Sequence, residues 1–559
     1  MFEIALFNRL NFVNETFCKV DENNGGFLKG RRTTDNIFIL YGLIQKQLLL
    51  GKKLYVCFID FSKAFDLINR HILFYKIMKS GWSGRLVDTL RDLYEKTHYR
   101  IKHKGKLSDK LPDFFGVKQG GNASGLLFRK YMADLSEYLK TEHGIMVDDE
   151  IIAHLLWADD LILISDTLSG LNKQLDGLKK FCNNNQMTVN ELKTKVMVFG
   201  SDEKIRVIFN GKLIEQVDKY RYVGCIINSI KRHDADPFAQ HYKYIINKAR
   251  KAEFDVYKKV KSLGHLPPGI KFLMFNSMVR PILSYGSDIW GVFKGGCKEV
   301  DAFQLRFIKK SLNVKISTST LMSYGESGQL PVSLDCQSSS CKFLNRIKHM
   351  ENTLVHSVYL TLLNLEECGF KTWIGKATDI MDKYSQHFTP NLDEFKISLK
   401  QAVEQNFKNE WKSDINDSDK NPGLRTYKLF KQDFGFERYL QSINSFKHWN
   451  ALARLRTSSH HLNIETGRHI NRNDNSKRLC KFCPRKIEDE IHFILECPLY
   501  NSERQKLFFE YDIQLPSVNN FDHITLFSEI MTSKNQHHLD ALGEFTFECF
   551  RKRNAMLYH

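Results

Sequence analysis

Apolar runs and polar breaks predict alternating strands and helices in the first half of the chain. Residues 54–60 (LYVCFID) form a nearly continuous apolar run that ends in a carboxylate, which is typical of a strand covered on both faces. From about Asp66, apolar residues recur at helical spacing as far as Met78, and Gly81 can end that helix. Residues 154–164 (HLLWADDLILI) predict a β-hairpin with both acids at its tip.

A long amphipathic helix is predicted from Tyr242, and Gly264 with the following Pro267 and Pro268 ends it. Its apolar stripe consists of Tyr242, Ile245, Ile246, Ala249, Ala252, Val256 and Val260. The opposite face carries Lys243, Lys248, Arg250, Lys251, Lys258, Lys259 and Lys261, and it is either a solvated surface or a nucleic-acid contact.

Two later stretches mark the organisation of the second half. Residues 413–423 are polar and rich in turn formers, so we predict a linker there. Residues 454–469 mix basic residues and histidines, and they form either a nucleic-acid contact or a helix with a solvated face. His460 and His461 have no further ligand at a useful spacing, so no second metal site is predicted.

Composition and charge narrow the class of protein. The 559 residues include 82 Lys and Arg against 64 Asp and Glu, giving a net charge of +18. Such an excess is typical of proteins with a polyanionic partner, although surface lysines kept for solubility would have the same effect. The 12 cysteines are mostly isolated in apolar stretches, as in reduced intracellular proteins of the cytoplasm or nucleus. No apolar run approaches the ~18 residues of a membrane span.

Three carboxylates are the first candidates for chemistry. Asp60 ends the apolar strand, and Asp159 and Asp160 lie in the hairpin. An acid at the end of a buried strand is costly unless it caps, pairs or binds a cation. Two Mg²⁺ ions would relieve the repulsion among these acids and activate a 3′-hydroxyl for in-line displacement. An Asp-Asp pair alone is more often a turn or a helix cap.

A cysteine–histidine cluster is the second candidate. The pattern is Cys480-x2-Cys483-x8-His492-x4-Cys497. Three thiolates and one imidazole at these spacings suit a tetrahedral structural Zn²⁺ site. Buried cysteines beside a helix capped by His492 are the plainer alternative. A zinc hydrolase is disfavoured, because four protein ligands leave no open position for water.

Several ordered motifs resemble those of reverse transcriptases from LINE-type non-LTR retrotransposons. Residues 58–66 (FIDFSKAFD) are similar to motif A, 116–120 (GVKQG) to motif B, 157–160 (WADD) to motif C and 190–195 (NELKTK) to motif D. Residues 220–224 (YRYVG) resemble the primer grip, and 26–35 (GFLKGRRTTD) resemble the fingers segment that precedes motif A. The cluster at 480–497 resembles the family's cysteine–histidine knuckle.

The resemblance implies a role for each matching residue. Asp60 and Asp159 would hold two Mg²⁺ or Mn²⁺ ions, with Asp160 as the neighbouring acid and Lys193 as a proton donor to pyrophosphate. Phe65 would be the wall that excludes a 2′-hydroxyl. Gln119 and Gly120 would lie against the incoming nucleotide, and Tyr222 and Gly224 would form the primer grip. The knuckle residues would bind RNA or target DNA.

The resemblance also implies an architecture, an α+β right-hand polymerase with a helical C-terminal region and a zinc knuckle. We expect partial fingers at 1–50, a palm with fingers elements at 51–228 and a thumb at 229–300. A helical connector would follow at 301–450, a zinc-knuckle module at 451–515 and a C-terminal tail at 516–559. The expected function is RNA-directed DNA synthesis, with an RNA template, a DNA primer or target DNA, and dNTPs as partners.

The chain also departs from the family pattern. Motif B continues as Gly121-Asn122-Ala123-Ser124 where Cys and then Leu-Ser-Pro are usual, and Trp157 replaces Phe or Tyr. Asn24-Gly25 stands where a glutamine is common. Together with the expected absence of an N-terminal endonuclease, these changes suit a truncated element.

Two other functions remain open. One is a catalytically impaired remnant of such an element that only binds nucleic acid. The other is an RNA-templated RNA polymerase, which usually has Gly before the paired acids and lacks a wall like Phe65.

Overall fold

A computed structural model of the chain describes residues 2–17, 21–95, 97–118, 120–264, 266–470, 475–512 and 522–558. Among these residues, no helix combines the length and the hydrophobicity that a membrane crossing requires.

Fourteen strands lie in the first 228 residues of the described chain. They are β1 Leu54–Ile59, β2 His98–Tyr99, β3 Lys102–His103, β4 Lys106–Leu107, β5 Leu111–Pro112, β6 Ile145–Val147, β7 Glu150–Ile152, β8 His154–Trp157, β9 Asp160–Ser165, β10 Lys195–Phe199, β11 Val207–Phe209, β12 Lys212–Gln216, β13 Lys219–Tyr222 and β14 Cys225–Asn228. Six of them form one sheet in the order β11-β12-β10-β1-β9-β8, with β1 antiparallel to both neighbours.

Helices account for most of the remaining described residues. The first eight are α1 Phe2–Phe17, α2 Thr33–Leu49, α3 Arg70–Lys79, α4 Gly84–Glu95, α5 Ser124–Tyr131, α6 Leu135–Tyr138, α7 Leu168–Asn184 and α8 Ala239–Ser262. Then come α9 Pro268–Met278, α10 Arg280–Leu283, α11 Ser287–Trp290, α12 Lys294–Ser311, α13 Thr320–Ser327, α14 Val332–Lys348, α15 Leu354–Glu367 and α16 Trp373–Lys383. The last eight are α17 Leu392–Asn416, α18 Tyr427–Phe430, α19 Tyr439–Ser442, α20 Phe446–Arg456, α21 Asn463–Ile470, α22 Asn501–Glu510, α23 His523–Thr532 and α24 Gln536–Tyr558.

Strand β1 lies between two hydrophobic cores, because its side chains alternate between the faces of the sheet. Cys57 and Ile59 face a core that includes α7, whereas Val56 and Phe58 face the core that includes α2. All six residues of β1 are buried. The prediction of a strand covered on both faces is therefore confirmed.

The core that includes α2 joins distant parts of the chain. Gly42 of α2 packs so closely against Val358 of α15 that a Cβ at position 42 would overlap it. Arg346 of α14 forms an ion pair with Asp35 of α2, and the two side chains are only 8% and 2% exposed. The predicted domain boundaries stay a prediction. Helix α2 and residues 301–450, which were predicted to belong to different domains, share one core.

The predicted helices form with some changes. The helix α8 extends over the predicted stripe and ends before Gly264, which has a φ of +86°. By contrast, α3 begins at Arg70 rather than near Asp66, because Asn69 caps it by accepting from the backbone of His71 and Ile72. Met78 of α3 is exposed rather than in the predicted apolar face.

The linker prediction at residues 413–423 is wrong in part. Its first four residues complete α17, which ends at Asn416. Asp417 then accepts backbone hydrogen bonds from Asp419 and Lys420 in a turn. Leu424, just beyond, is buried in the same core as the preceding helices. The polar composition of this stretch thus reflects a surface turn within one packed body.

Candidate polymerase site and metal cluster

Three carboxylates meet at one end of the sheet. Asp60 follows the last residue of β1, and Ile59 of β1 pairs with Leu161 of β9. Asp160 is the first residue of β9, one position before Leu161. Asp159 precedes it in the turn from β8. The antiparallel register therefore brings acids that are a hundred residues apart in sequence onto neighbouring strand ends.

The hairpin turns one residue earlier than the sequence predicts. Trp157 pairs with Asp160, so the two-residue turn is Ala158–Asp159 rather than the pair of acids. Ala158 has a φ of +56°, the left-handed conformation that such tight turns require. Gly26 packs directly on this turn, and a Cβ at position 26 would overlap the backbone of Ala158.

Negative charge is concentrated among these acids. Partial burial raises the pKa of Asp160 to about 6, and the carboxylates of Asp159 and Asp60 add to the rise. The ammonium of Lys193 lies 3.7 Å from Asp60 Oδ2. A set of crowded carboxylate oxygens fits Mg²⁺, which prefers hard oxygen ligands.

Two departures from the family pattern contact each other. A Cβ at Gly25 would lie 3.2 Å from the six-membered ring of Trp157. The segment that contains Gly25 continues the sheet edge, since Gly25 N donates to Leu156 O at 3.0 Å and Leu156 N donates to Asn23 O at 2.8 Å. Gly25, which has no side chain, thus faces the indole of Trp157, which is larger than the ring of the usual Phe or Tyr.

Phe65 is held in an aromatic cluster beside the acids. Its ring stacks on Phe128 with centroids 4.3 Å apart and meets Phe27 edge-on at 6.1 Å. Its backbone oxygen accepts from Val117 N at 3.0 Å, which joins the predicted motif A to motif B. Phe65 itself is partly exposed, so one side of the ring can contact a ligand.

The rest of motif B is described in part. Gln119 lies outside the described residues, and Gly120 is exposed in a turn with a φ of +80°. Despite the missing proline, α5 begins at Ser124, whose hydroxyl donates to the backbone oxygen of Lys118. The helix has no side-chain cap.

The predicted primer-grip residues differ in their surroundings. The Tyr222 side chain is 1% exposed, and its hydroxyl accepts from Asn36 Nδ2 at 3.0 Å. Val223 and Gly224 form the turn between β13 and β14. Tyr285 donates from its hydroxyl to Val223 O at 2.8 Å. Any contact with a primer would therefore involve this turn rather than the Tyr222 ring. Sequence reasoning missed Tyr285, which no local motif marks.

The basic face of α8 is exposed along its length. All seven basic residues predicted for it are exposed: Lys243, Lys248, Arg250, Lys251, Lys258, Lys259 and Lys261. Phe254 lies among them and is 69% exposed. A solvent-facing aromatic ring within a basic stripe is a typical nucleic-acid contact.

The four predicted zinc ligands come together. Their ligand atoms all lie within 4.8 Å of one another. Cys497 Sγ is 3.9 Å from Cys480 Sγ and 3.8 Å from Cys483 Sγ, and Cys483 Sγ is 2.9 Å from His492 Nε2. A tetrahedral Zn²⁺ with Zn–S bonds of about 2.3 Å places two sulfurs about 3.8 Å apart. The cluster is therefore compatible with a zinc knuckle.

The local backbone explains the His-x4-Cys spacing. Residues His492–Glu496 form a π-helical turn, in which Cys497 N donates to His492 O at 2.9 Å. In this wider turn, His492 and Cys497, which are five positions apart in sequence, lie on the same side of the helix. The other ring nitrogen of His492 lies 3.1 Å from Glu496 Oε2, and such a partner commonly orients a metal-binding imidazole.

Residues 454–467 of the predicted basic stretch are largely buried, although His461 is exposed. His460 Nε2 lies 2.9 Å from Glu490 Oε1, and both side chains are almost fully enclosed. Arg456 pairs with the buried Glu326. These residues connect α20 to the knuckle and to α13, so the expectation of a solvated face is wrong for them.

Comparisons with known proteins agree with the motif pattern. Residues 3–227 match the family described as reverse transcriptase (RNA-dependent DNA polymerase). The chain is 25% identical over 309 residues to the Pol polyprotein of the type-2 retrotransposable element R2DM of Drosophila melanogaster, covering 53% of this chain and 28% of that protein. It is 24% identical to that of a type-1 R2 element of Popillia japonica, covering 52% and 47%. The matches thus span less than half of either relative.

Solved structures add a weaker likeness. Telomerase from Candida tropicalis with a fragment of telomeric RNA is 15% identical and covers 64% of this chain and 56% of its own, with a TM-score of 0.32. The sequence matches and the ordered motifs together identify residues 3–227 as a reverse-transcriptase domain of the non-LTR retrotransposon type.

Proposed function

We propose that the chain is an RNA-directed DNA polymerase that adds deoxynucleotides to a primer 3′-hydroxyl. The observation that carries the proposal is the convergence of Asp60, Asp159 and Asp160 at the ends of adjacent strands within the reverse-transcriptase domain. Three carboxylates on adjacent strand ends repel one another, and bound divalent cations would remove that repulsion.

Asp60 and Asp159 are the proposed ligands of two Mg²⁺ ions, with Asp160 as the neighbouring acid. When bound, such ions stabilise the attacking and leaving oxygens of an in-line displacement. Lys193, close to Asp60, would donate a proton to the departing pyrophosphate and offset its charge.

The surrounding residues would select and hold the substrates. Phe65, braced by Phe128, would exclude a ribose 2′-hydroxyl. Gln119 and Gly120 would lie along the incoming nucleotide. The turn at Val223 and Gly224 would support the primer end, and the basic face of α8 would follow the phosphates of the template–primer duplex.

The cysteine–histidine cluster is proposed to hold one structural Zn²⁺. Its donor set and its S–S distances fit that ion. Basic side chains nearby, among them Lys477, Lys481 and Lys486, suit contact with RNA or target DNA.

Primer extension on an RNA template with dNTPs and Mg²⁺ tests the proposal. We expect Asp159→Asn to lower extension by at least about 10²-fold, because it removes a charge on which metal binding depends. Asp149→Asn is the matched control, since Asp149 is an exposed acid in the turn of the neighbouring hairpin. It should leave extension unchanged.

The binding-only alternative gives a different result. It predicts tight, salt-sensitive binding to the primer–template with no extension by the unmodified chain. Full activity in Asp159→Asn would instead refute the assignment of motif C.

A further inference from the structure

Residues 98–112, here called the basic ribbon, form two short antiparallel strand pairs that extend from the body of the domain. β2 pairs with β5, and β3 pairs with β4. Lys104 and Gly105 turn the chain with φ values of +46° and +81°, as in a type I′ hairpin. Ser108 hydrogen bonds to both backbone groups of Ile101, where the returning strand contains one extra residue.

The basic ribbon carries unpaired positive charge. Its cations are Arg100, Lys102, Lys104, Lys106 and Lys110, its only acid is Asp109, and all six are exposed. None of the five cations forms an ion pair with a residue that the structure describes. Basic residues of the adjoining α3 behave differently, since Arg70 pairs with Asp113 and Lys76 with Asp134.

Apolar side chains on the basic ribbon are exposed as well. Tyr99 is 51% exposed, Ile101 59% and Leu107 58%. Isolated exposed apolar residues are common, but here three lie within nine residues among five cations. Unpaired bases offer flat apolar faces between phosphates, so a single-stranded nucleic acid complements this surface in both charge and hydrophobicity.

The base of the basic ribbon is fixed beside the polymerase site. The Arg70 guanidinium donates to the backbone oxygens of Phe115 and Gly116, both at 2.9 Å. Val117 N then donates to Phe65 O. From Val117 to the turn at Gly105 is twelve residues, so the tip lies within about 40 Å of the site.

The basic ribbon and α8 attach on opposite faces of the sheet. Val117 and Tyr94, which flank the ribbon, pack in the core that covers Cys57 and Ile59 of β1. The helix α8 packs in the core that covers the other face. A nucleic acid that lies along α8 and continues past the three carboxylates would therefore reach the basic ribbon on the opposite face of the sheet.

We propose that the basic ribbon binds the unpaired part of the RNA template before it enters the polymerase site. This inference rests on the proposed function. It differs from the expected role of α8, because it concerns the single strand ahead of the site rather than the duplex behind it.

Binding of the full chain to primer–template duplexes with template overhangs of about 3 or about 20 nucleotides tests the proposal. The variant is Arg100→Gln/Lys102→Gln/Lys106→Gln. Its matched control is Lys294→Gln/Lys298→Gln/Lys400→Gln, which removes the same charge from exposed lysines of α12 and α17. Circular dichroism would verify that both variants fold.

We expect the ribbon variant to lose about tenfold in affinity for the long overhang and to bind the short one normally. The slope of log K against log salt should fall by about 2, since each single-strand phosphate contact contributes about 0.7. The control should match the unmodified chain on both duplexes.

Three results would overturn the proposal. The first is an equal loss of affinity on both duplexes, which would indicate a duplex contact. The second is an affinity of the ribbon variant no different from that of the control. The third is that the unmodified chain shows no preference for the long overhang. Binding is measured without dNTPs, so its outcome does not depend on catalysis. If the unmodified chain extends no primer but the ribbon variant loses affinity only for the long overhang, the catalytic proposal is rejected and this one is supported.

Discussion

At the scale of single residues, the contact between Trp157 and Gly25 changes how the departures from the family pattern are understood. Considered separately, a larger aromatic beside the acids and a glycine in place of glutamine both indicate decay. In the structure the indole lies against the position that has no side chain. The two changes therefore compensate for each other, and the turn that carries Asp159 remains packed.

This compensation can be measured by a double-mutant cycle. Gly25→Ala should destabilise the chain, because its Cβ would lie 3.0 Å from Asn36 Oδ1 and 3.2 Å from the Trp157 ring. Trp157→Phe removes that ring edge, so the double variant should be more stable than the sum of the single changes by about 0.5–1 kcal/mol. Urea unfolding followed by circular dichroism would give these free energies, and strict additivity would contradict the contact.

At the scale of elements, His241 joins α8 to the hairpin of β13 and β14. Its Nδ1 accepts from Ile226 N at 3.3 Å, and its Nε2 lies 3.1 Å from Tyr285 O. A neutral imidazole satisfies both bonds. Burial lowers the pKa of His241 to about 4, and the nearby Lys248 also lowers it.

Stability should therefore decline in mild acid. Between pH 6.5 and 4 the unfolded chain binds a proton at His241 that the folded chain does not, so the free energy of unfolding falls as the pH falls. The expected loss from this group between pH 7.5 and 4.5 is about 2–3 kcal/mol. His241→Gln should lack that component, whereas a variant of the exposed His71 (His71→Gln) should retain it. Identical pH profiles for the unmodified chain and His241→Gln would refute the argument.

At the scale of the whole molecule, the pair of Asp35 and Arg346 joins residues that are 311 apart in the chain. Both side chains are buried, and removing one partner leaves a charge without compensation. The pair thus couples the packing of α2 to that of α14.

We expect Arg346→Met to lower the free energy of unfolding by about 3–5 kcal/mol. Arg551→Met, which breaks a pair with Glu548 in which the arginine side chain is 72% exposed, should cost about 1 kcal/mol or less. Thermal unfolding at matched pH would compare them. Equal losses would show that the buried pair has no special role.

The sequence predicts the parts of this molecule that local patterns determine. The apolar run of β1, the stripe of α8 and the spacing from Cys480 to Cys497 are all visible without a structure. The turn at Ala158 depends on contact with Gly26, and the start of α3 depends on the cap at Asn69. The predicted positions of these two features therefore differ from the structure by one residue and by about four residues. The basic ribbon has two-residue strands with no buried face, so no hydrophobic periodicity marks it. Pairs such as His460 with Glu490, or Gly42 with Val358, lie too far apart in sequence for any local pattern to connect them.

The close packing of Gly42 against Val358 has a consequence for synthesis of the protein. At about 5–20 residues per second, a ribosome needs about 15–60 s to make the 316 residues from position 43 to position 358. During that interval the apolar surface of α2 that α15 later covers stays open to water or to other proteins. A nascent chain of this kind would rely on a chaperone, or on pauses in translation, to prevent premature association.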